Sequence, residues 1–312
     1  MAIYRNSLPQ LGGGIFLADG GLETTLVFLE GMDLPCFAAF PLVLSDSGRD
    51  ALSRYFKPYI AEAQRRGVGF ILDTPTWRAN PDWGAKLGFS LEELLDANRG
   101  AVAFAAELRD AVRPPSIAIV LNGVVGPRGD GYIVNTAMSA DQAARYHRSQ
   151  IEALRDGGAD MVSAITMNYV DEAAGIALAA RDCGIPVAIS FTVETDGRLP
   201  SGQPFKAAIE ETDTVTGGCP AYYMINCAHP EHFKEVLAGD GAWLDRIRGI
   251  RANASRKSHA ELDASTELDI GDPEELGQQY RHLGSQLPHL RILGGCCGTD
   301  HRHIRAISNA CL

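Results

Sequence analysis

The sequence has no uninterrupted apolar run of 18 residues, only seven cysteines, five lysines, 7% aromatic residues and fewer basic than acidic side chains. Each shortage excludes something. Without a long apolar run there is no candidate transmembrane helix, and the start, Met1-Ala2-Ile3-Tyr4-Arg5-Asn6, lacks the basic-then-apolar order of a secretory signal. A cytoplasmic protein is expected. The 28 basic against 39 acidic side chains leave a formal charge of −11, which argues against a surface for nucleic acid or anionic membrane. Seven cysteines is an odd number, thinly spread apart from the adjacent pair Cys296-Cys297, so a disulfide framework is not expected. The five lysines, Lys57, Lys86, Lys206, Lys234 and Lys257, lie away from every expected strand end, which weakens a Schiff-base aldolase or lyase reading.

What is present is length and pattern. A chain of 312 residues with 46% hydrophobic content can bury a large core. A short apolar run of β type alternates eight times with a helix-length amphipathic segment. The expected strands cover residues 15–18, 68–72, 117–121, 161–165, 186–191, 222–225, 247–251 and 291–293. Most are continuously apolar, as strands buried on both faces are. The seventh is the weakest, because Arg246, Arg248 and Arg251 interrupt it. Ser90-Leu91-Glu92-Glu93 and Ser139-Ala140-Asp141-Gln142 read as capping boxes, and Asp272-Pro273-Glu274-Glu275 as a helix start with proline at its first position. Gly67 and the pair Gly157-Gly158 stand where left-handed helix caps are wanted.

Eight strand–helix units predict an α/β fold, a (βα)8 TIM barrel, as a single domain over residues 1–312. A doubly wound sheet needs a glycine-rich turn after its first strand, whereas Gly12-Gly13-Gly14 precedes it. Loop insertions are expected within residues 252–288. In such a barrel the active site lies at the C-terminal strand ends. Asp19-Gly20-Gly21 follows the first strand, Asp73-Thr74 the second, Asn122-Gly123 the third, Asn226-Cys227 the sixth and Gly294-Gly295-Cys296-Cys297-Gly298 the eighth.

Three thiolates converging at one barrel mouth suit Zn²⁺, and a three-ligand set leaves the fourth position open, as catalytic zinc sites do. Glycines at 294, 295 and 298 supply the backbone freedom that two inward-turned adjacent cysteines require. Other readings stand beside this one. A lone cysteine at a strand end, such as Cys227, is more often a small buried hydrophobe than a ligand, Cys296-Cys297 also reads as a vicinal disulfide or a plain loop, and Asp19 as an ordinary turn residue. Cys36, Cys183, Cys219 and Cys311 are assigned to packing or surface. The eight histidines form no H-x-x-x-H pair, and His229, His301 and His303 read as exposed helix-terminal side chains.

Taken together, Asp19-Gly20-Gly21 with Glu23-Thr24, Thr74-x-Thr76, Gly126-Pro127-x-Gly129, Asn226-Cys227-x-x-Pro230 and Gly294-Gly295-Cys296-Cys297-Gly298-Thr299 followed by His303-Ile304 resemble the homocysteine S-methyltransferases. That family includes betaine-dependent and S-methylmethionine-dependent enzymes and the zinc domain of cobalamin-dependent methionine synthase. The resemblance implies a zinc-dependent thiol methyltransferase that makes methionine from homocysteine, with Cys227, Cys296 and Cys297 as zinc ligands. It implies that Asp19 and the Gly20-Gly21 backbone contact the homocysteine amino group, with Thr74 and Asn226 in the same substrate-binding set. A free thiol titrates near 8.5, so coordination that ionises it replaces a general base. The implied partners are a small-molecule thiol acceptor and a methyl donor. The chain ends eight residues after Ile304, leaving no room for folate or cobalamin modules, so a small onium donor of the S-methylmethionine or S-adenosylmethionine type is expected. Trp77, Tyr132 and Trp83 offer cation–π faces for it.

Two departures stand out. Family members usually carry Glu-Thr at the end of the fourth strand, the Glu binding the substrate amino group, whereas this chain has Ile165-Thr166. Losing an anion that faces a buried ammonium costs about 1.5–3 kcal/mol. Either the acceptor is a different thiol, or Glu194 just past the fifth strand compensates. The family's Pro-Asn on the seventh strand is here Ala252-Asn253. A zinc-binding or redox protein without methyl transfer is the remaining alternative.

Overall fold

A computed structural model of the chain describes residues 1–112, 116–135 and 137–312. Eight parallel strands close into a barrel in sequence order: β1 (Phe16–Leu17), β2 (Gly69–Asp73), β3 (Ile119–Val125), β4 (Met161–Met167), β5 (Val187–Phe191), β6 (Tyr222–Asn226), β7 (Ile247–Ala252) and β8 (Ile292–Gly295). The seam is closed by β1 against β8, with Phe16 opposite Ile292 and Leu17 opposite Leu293. This is the (βα)8 TIM barrel read from the alternation. The helices are α1 (Leu22–Thr24), α2 (Asp46–Arg66), α3 (Pro81–Lys86), α4 (Leu91–Ala111), α5 (Ala140–Gly157), α6 (Val170–Cys183), α7 (Phe205–Thr216), α8 (Pro230–Leu237), α9 (His259–Asp263), α10 (Pro273–Gln286) and α11 (His301–Cys311). None among the described residues is long and apolar enough to cross a membrane.

The helix starts follow from local chemistry. Ser90 and Ser139 make the reciprocal capping boxes with Glu93 and Gln142, and Asp272 caps α10 ahead of Pro273. Gly67 and Gly158 take left-handed backbone at the ends of α2 and α5. The insertion expected within residues 252–288 is present as an irregular segment from Asn253 to Asp272, broken by α9, and it folds over the barrel mouth.

Two cores result. One lies between strands and helices, and the other fills the barrel with Phe16, Ile71, Val120, Met161, Ile165, Tyr222, Met224 and Ile292. The N-terminal arm plugs the bottom of the barrel with Leu8 and Gln10, whose Nε2 reaches Met161 and Tyr222. Above this apolar floor the interior turns polar. Asn122 Nδ2 donates to Asp73 Oδ1 at 2.7 Å, and Ser163 Oγ donates to Asn122 Oδ1 at 2.9 Å. β3 therefore runs four residues past the expected end at Leu121: Asn122 and Gly123 look like a turn but lie inside the barrel wall.

Candidate metal centre

Cys227 follows β6, and Cys296 and Cys297 follow β8. Their sulfurs lie within 4.8 Å of one another. The turn at β6 requires Cys227 to adopt φ 52°, a left-handed backbone that few non-glycine residues take. It is held there by Cys227 N–H to Arg251 O at 3.1 Å and by His259 Nε2 on Cys227 O at 2.6 Å. His259 is fixed in turn by Glu194 at 3.0 Å and by stacking on Tyr132, with ring centroids 4.1 Å apart. Across the cluster, Cys296 N–H donates to Ala252 O at 2.8 Å, and Thr299 closes the turn with two bonds to Cys296 O. Cys227 and Cys296 are joined as a disulfide, with Cα atoms 5.4 Å apart, while Cys297 is free. The chain thus carries one disulfide inside the cluster, between different residues from the vicinal pair weighed above.

The three sulfurs fit a zinc ion by number and by softness. Burial pushes the Cys297 thiol up to about 11, and the nearby Glu23 carboxyl adds to that, so a cation is needed at this position to keep it ionised at neutral pH. The glycines act differently from the reading above. Only Gly298 has positive φ, at 78°; Gly294 and Gly295 lie in the strand, where a Cβ would collide with Ala18 and Thr299 respectively. On the facing turn a Cβ at Gly20 would come within 2.6 Å of Thr299 O, and one at Gly21 within 2.6 Å of Cys296 O. The Asp19-Gly20-Gly21 turn and the cysteine turn are therefore pressed backbone to backbone.

The cysteines open onto a cavity of about 390 Å³ at the C-terminal face of the barrel, within the range of small-molecule sites. Asp19, Gly20, Gly21, Thr74 and Asn226 all line it. Thr74 Oγ1 meets Thr76 Oγ1 at 2.7 Å and accepts from Val124 N–H. Asn226 holds the bulged end of β4: its Oδ1 accepts from Thr166 N–H and Ser190 Oγ, and its Nδ2 donates to Thr166 Oγ1. Thr166 is another non-glycine residue at positive φ, 65°, a strained position of the kind found at sites.

Sequence reasoning missed the role of Arg251. It reads as an interruption of a strand, yet its buried guanidinium bridges Asp19 and Asp73 and donates to Gly295 O. Burial works against that charge, but Asp73 and Asp19 outweigh it and hold the guanidinium above its ordinary pKa. Asp19 Oδ1 is taken by Arg251 and its Oδ2 by Tyr55 at 3.0 Å. Burial pushes the Asp19 carboxyl up to about 6, against the pull of Arg251. Among the described residues Glu23 has neither ion pair nor hydrogen bond to its carboxylate from another side chain, and burial pushes it up to about 7.

Four further expectations need correction. Glu194 does not line the cavity; it stands behind His259. Trp77 and Tyr132 do line it, though Arg78 lies over one face of Trp77 and His259 over one face of Tyr132; Trp83 does not line it, and Arg78 and Lys86 lie over its ring. Of the three histidines, only His301 is exposed. His229 caps α8 and His303 bridges Asp300 and Ile270 O, and both are buried, because their ring nitrogens satisfy backbone groups at the helix starts.

Comparison with known proteins places these features in context. The family model described as homocysteine S-methyltransferase matches residues 16–311. A maize protein named homocysteine S-methyltransferase 4 is 24% identical, over 96% of this chain and 90% of its own length. The homocysteine S-methyltransferase of Escherichia coli K12 is 26% identical over 75% of this chain and 77% of its own. Among solved structures, the oxidized form of the homocysteine methyltransferase MmuM from Escherichia coli superposes with a TM-score of 0.74 at 21% identity, covering 95% of each chain. The metallated form of the same protein gives 0.72 at 21% identity, covering 95% of this chain and 96% of that one. At these identities the two structures bear on the fold.

Proposed function

Because the chain belongs to the homocysteine S-methyltransferase family and is thereby an S-methyltransferase, we propose that it moves a methyl group from a small onium donor, S-methylmethionine or S-adenosylmethionine in type, to the sulfur of homocysteine. The observation that carries this reading is the convergence of Cys227, Cys296 and Cys297 within 4.8 Å at the floor of the cavity. In their reduced form these three side chains would hold Zn²⁺, which supplies the positive charge that keeps an acceptor thiol ionised at neutral pH.

The chain's own residues supply position and exclusion of water. His259 and the β4 bulge hold the Cys227 turn, and the packed glycine turns hold Cys296 and Cys297, so that the three donors are set before substrate arrives. Asp19-Gly20-Gly21, Thr74 and Asn226 would form the wall on which the acceptor is laid, and Trp77 and Tyr132, each with one ring face already taken by Arg78 and His259 respectively, leave at most their other faces for the donor's positive charge. As the sulfur lone pair forms the new bond to the methyl carbon, the old bonding pair stays with the donor heteroatom, which leaves neutral. No proton on carbon moves, and the site accordingly needs alignment more than an acid–base dyad.

The test is direct. Protein purified under reducing conditions with zinc, mixed with homocysteine and S-methylmethionine or S-adenosylmethionine, should yield methionine with at least one donor. No methionine from either donor, with one zinc bound per chain, would refute the reading and favour a metal-binding or redox role for the cysteines.

A further inference from the structure

The acceptor brings a thiol, a carboxylate and an ammonium group, and the ammonium needs an anion in the cavity. The residue expected to supply one at the end of β4 is Ile165, buried and apolar. The other interior carboxylates are already committed. Asp19 is held by Arg251 and Tyr55, and Asp73 by Arg251 and Asn122. Asp130 accepts from the backbone of Tyr132 and Ile133, and Asp269 accepts from Ser255 and Gly271. Asp263 and Glu267 lie on the exposed rim.

Glu23 is the exception. It belongs to the first turn of α1, immediately after Asp19-Gly20-Gly21, and it lines the cavity. The residues on either side of it are clamped to the cysteine turn. Gly21 N–H donates to Thr299 O at 2.9 Å, and Thr24 Oγ1 accepts from Gly298 N–H at 3.2 Å. The backbone on both sides of Glu23 is thus anchored to the cysteine turn, and its carboxylate lies close enough to Cys297 to act on that thiol. No side chain among the described residues donates a hydrogen bond to it or pairs with it within 4.0 Å; Asp130, which also lacks a side-chain partner, is instead engaged by two backbone N–H groups of the following turn. The nearest cations, Arg78 and Arg251, act on it only at longer range.

We propose that Glu23 is the specificity residue that receives the ammonium group of the amino acid whose thiol sits at the cysteines, doing from the β1 side of the barrel what Ile165 does not do from the β4 side. This assignment rests on the methyl-transfer reading above. It also keeps homocysteine as the acceptor despite Ile165, and it removes the need for Glu194, which faces His259.

The experiment compares homocysteine with 4-mercaptobutanoate, the same thiol acid without the ammonium group, in the wild-type protein and in Glu23→Gln and Glu23→Asp. Zinc content per chain is measured in parallel. Wild type should prefer homocysteine. In E23Q the ratio of kcat/KM values for the two thiols should fall 10- to 100-fold, mainly through a higher KM for homocysteine, with zinc content and the KM for the methyl donor unchanged. E23D should recover part of the preference. An unchanged ratio in an E23Q protein that still turns over homocysteine overturns the Glu23 assignment and leaves the function standing. A rise confined to the donor KM overturns it as well, by moving Glu23 to the donor's side. Wild-type protein that holds zinc but methylates neither thiol, and does not bind methionine by calorimetry, overturns both.

Discussion

Replacing Arg251 by Met isolates what holds the polar floor of the site together. In the native barrel one guanidinium faces two carboxylates, all three side chains at most 9% exposed. At a separation of 4 Å and an effective dielectric of about 20, each attraction is worth about 4 kcal/mol, part of which offsets the cost of taking the guanidinium out of water. Removing the cation alone leaves Asp19 and Asp73 buried side by side without it, and the expected net loss is about 3–5 kcal/mol. With a urea slope of about 3 kcal/mol/M, the unfolding midpoint should fall by about 1–1.7 M at pH 7. The pH dependence has a definite sign. Burial already pushes Asp19 up to about 6, and losing the pull of Arg251 would raise it further, so the folded state binds protons more readily than the unfolded one, and stability should recover as pH falls below 7. Adding Asp73→Asn to Arg251→Met keeps the bond from Asn122 while removing one of the stranded charges, and should restore at least half of the loss. Urea titrations of the four proteins of this cycle at pH 7 and 5.5 provide the measurement. A loss under about 1 kcal/mol for R251M, or no recovery in the double variant, would refute the account of Arg251 as the cation that makes the floor tolerable.

Zinc measured by elemental analysis after purification in a strong thiol reductant should be about one per chain and should be lost in Cys296→Ser, whereas the air-oxidised wild type, with Cys227 and Cys296 paired, should hold little. Asp300 caps α11 and binds Arg302 and His303; burial opposes its charge, but His303 and Arg302 outweigh it and hold the carboxyl well below the usual range. Asp300→Ala should therefore cost about 1–2 kcal/mol at neutral pH, and the difference from wild type should shrink as acid takes the pH below about 4, where the unfolded chain's carboxyl protonates. Gly20→Ala, which sets a methyl group against Thr299 O, should cost about 1–3 kcal/mol in thermal or urea unfolding.

The architecture was legible because strands buried on both faces are written as unbroken apolar runs, and capping residues such as Ser90, Ser139 and Asp272 announce helices from local bonds alone. Errors arose where a polar residue belongs to the barrel interior. Asn122 and Gly123 carry turn chemistry yet continue β3, and Arg251 breaks the apolar run of β7 because its partners, Asp19 and Asp73, lie 232 and 178 residues away. No local pattern encodes such a pairing. The cysteines could be brought together on paper because the barrel rule puts strand ends at one mouth. Glu23 could be quoted but given no role, since an anion's lack of a partner is visible only when every neighbour is in place. Glu194 was the reverse: its position past a strand end suggested the cavity, and a histidine stood between.

The contact between the Asp19-Gly20-Gly21 turn and the cysteine turn spans nearly the whole chain, with Thr24 and Gly298 bonded across 274 residues. During synthesis the last ligands emerge from the ribosome only after all eight strands, so a nascent chain, or one truncated before Cys296, has no way to form the centre. The same geometry makes the β1–β8 seam a fuse. If the ring springs open there on heating, the two halves of the site separate while most of the helical shell is still intact, and catalytic competence would be lost before bulk helix content falls.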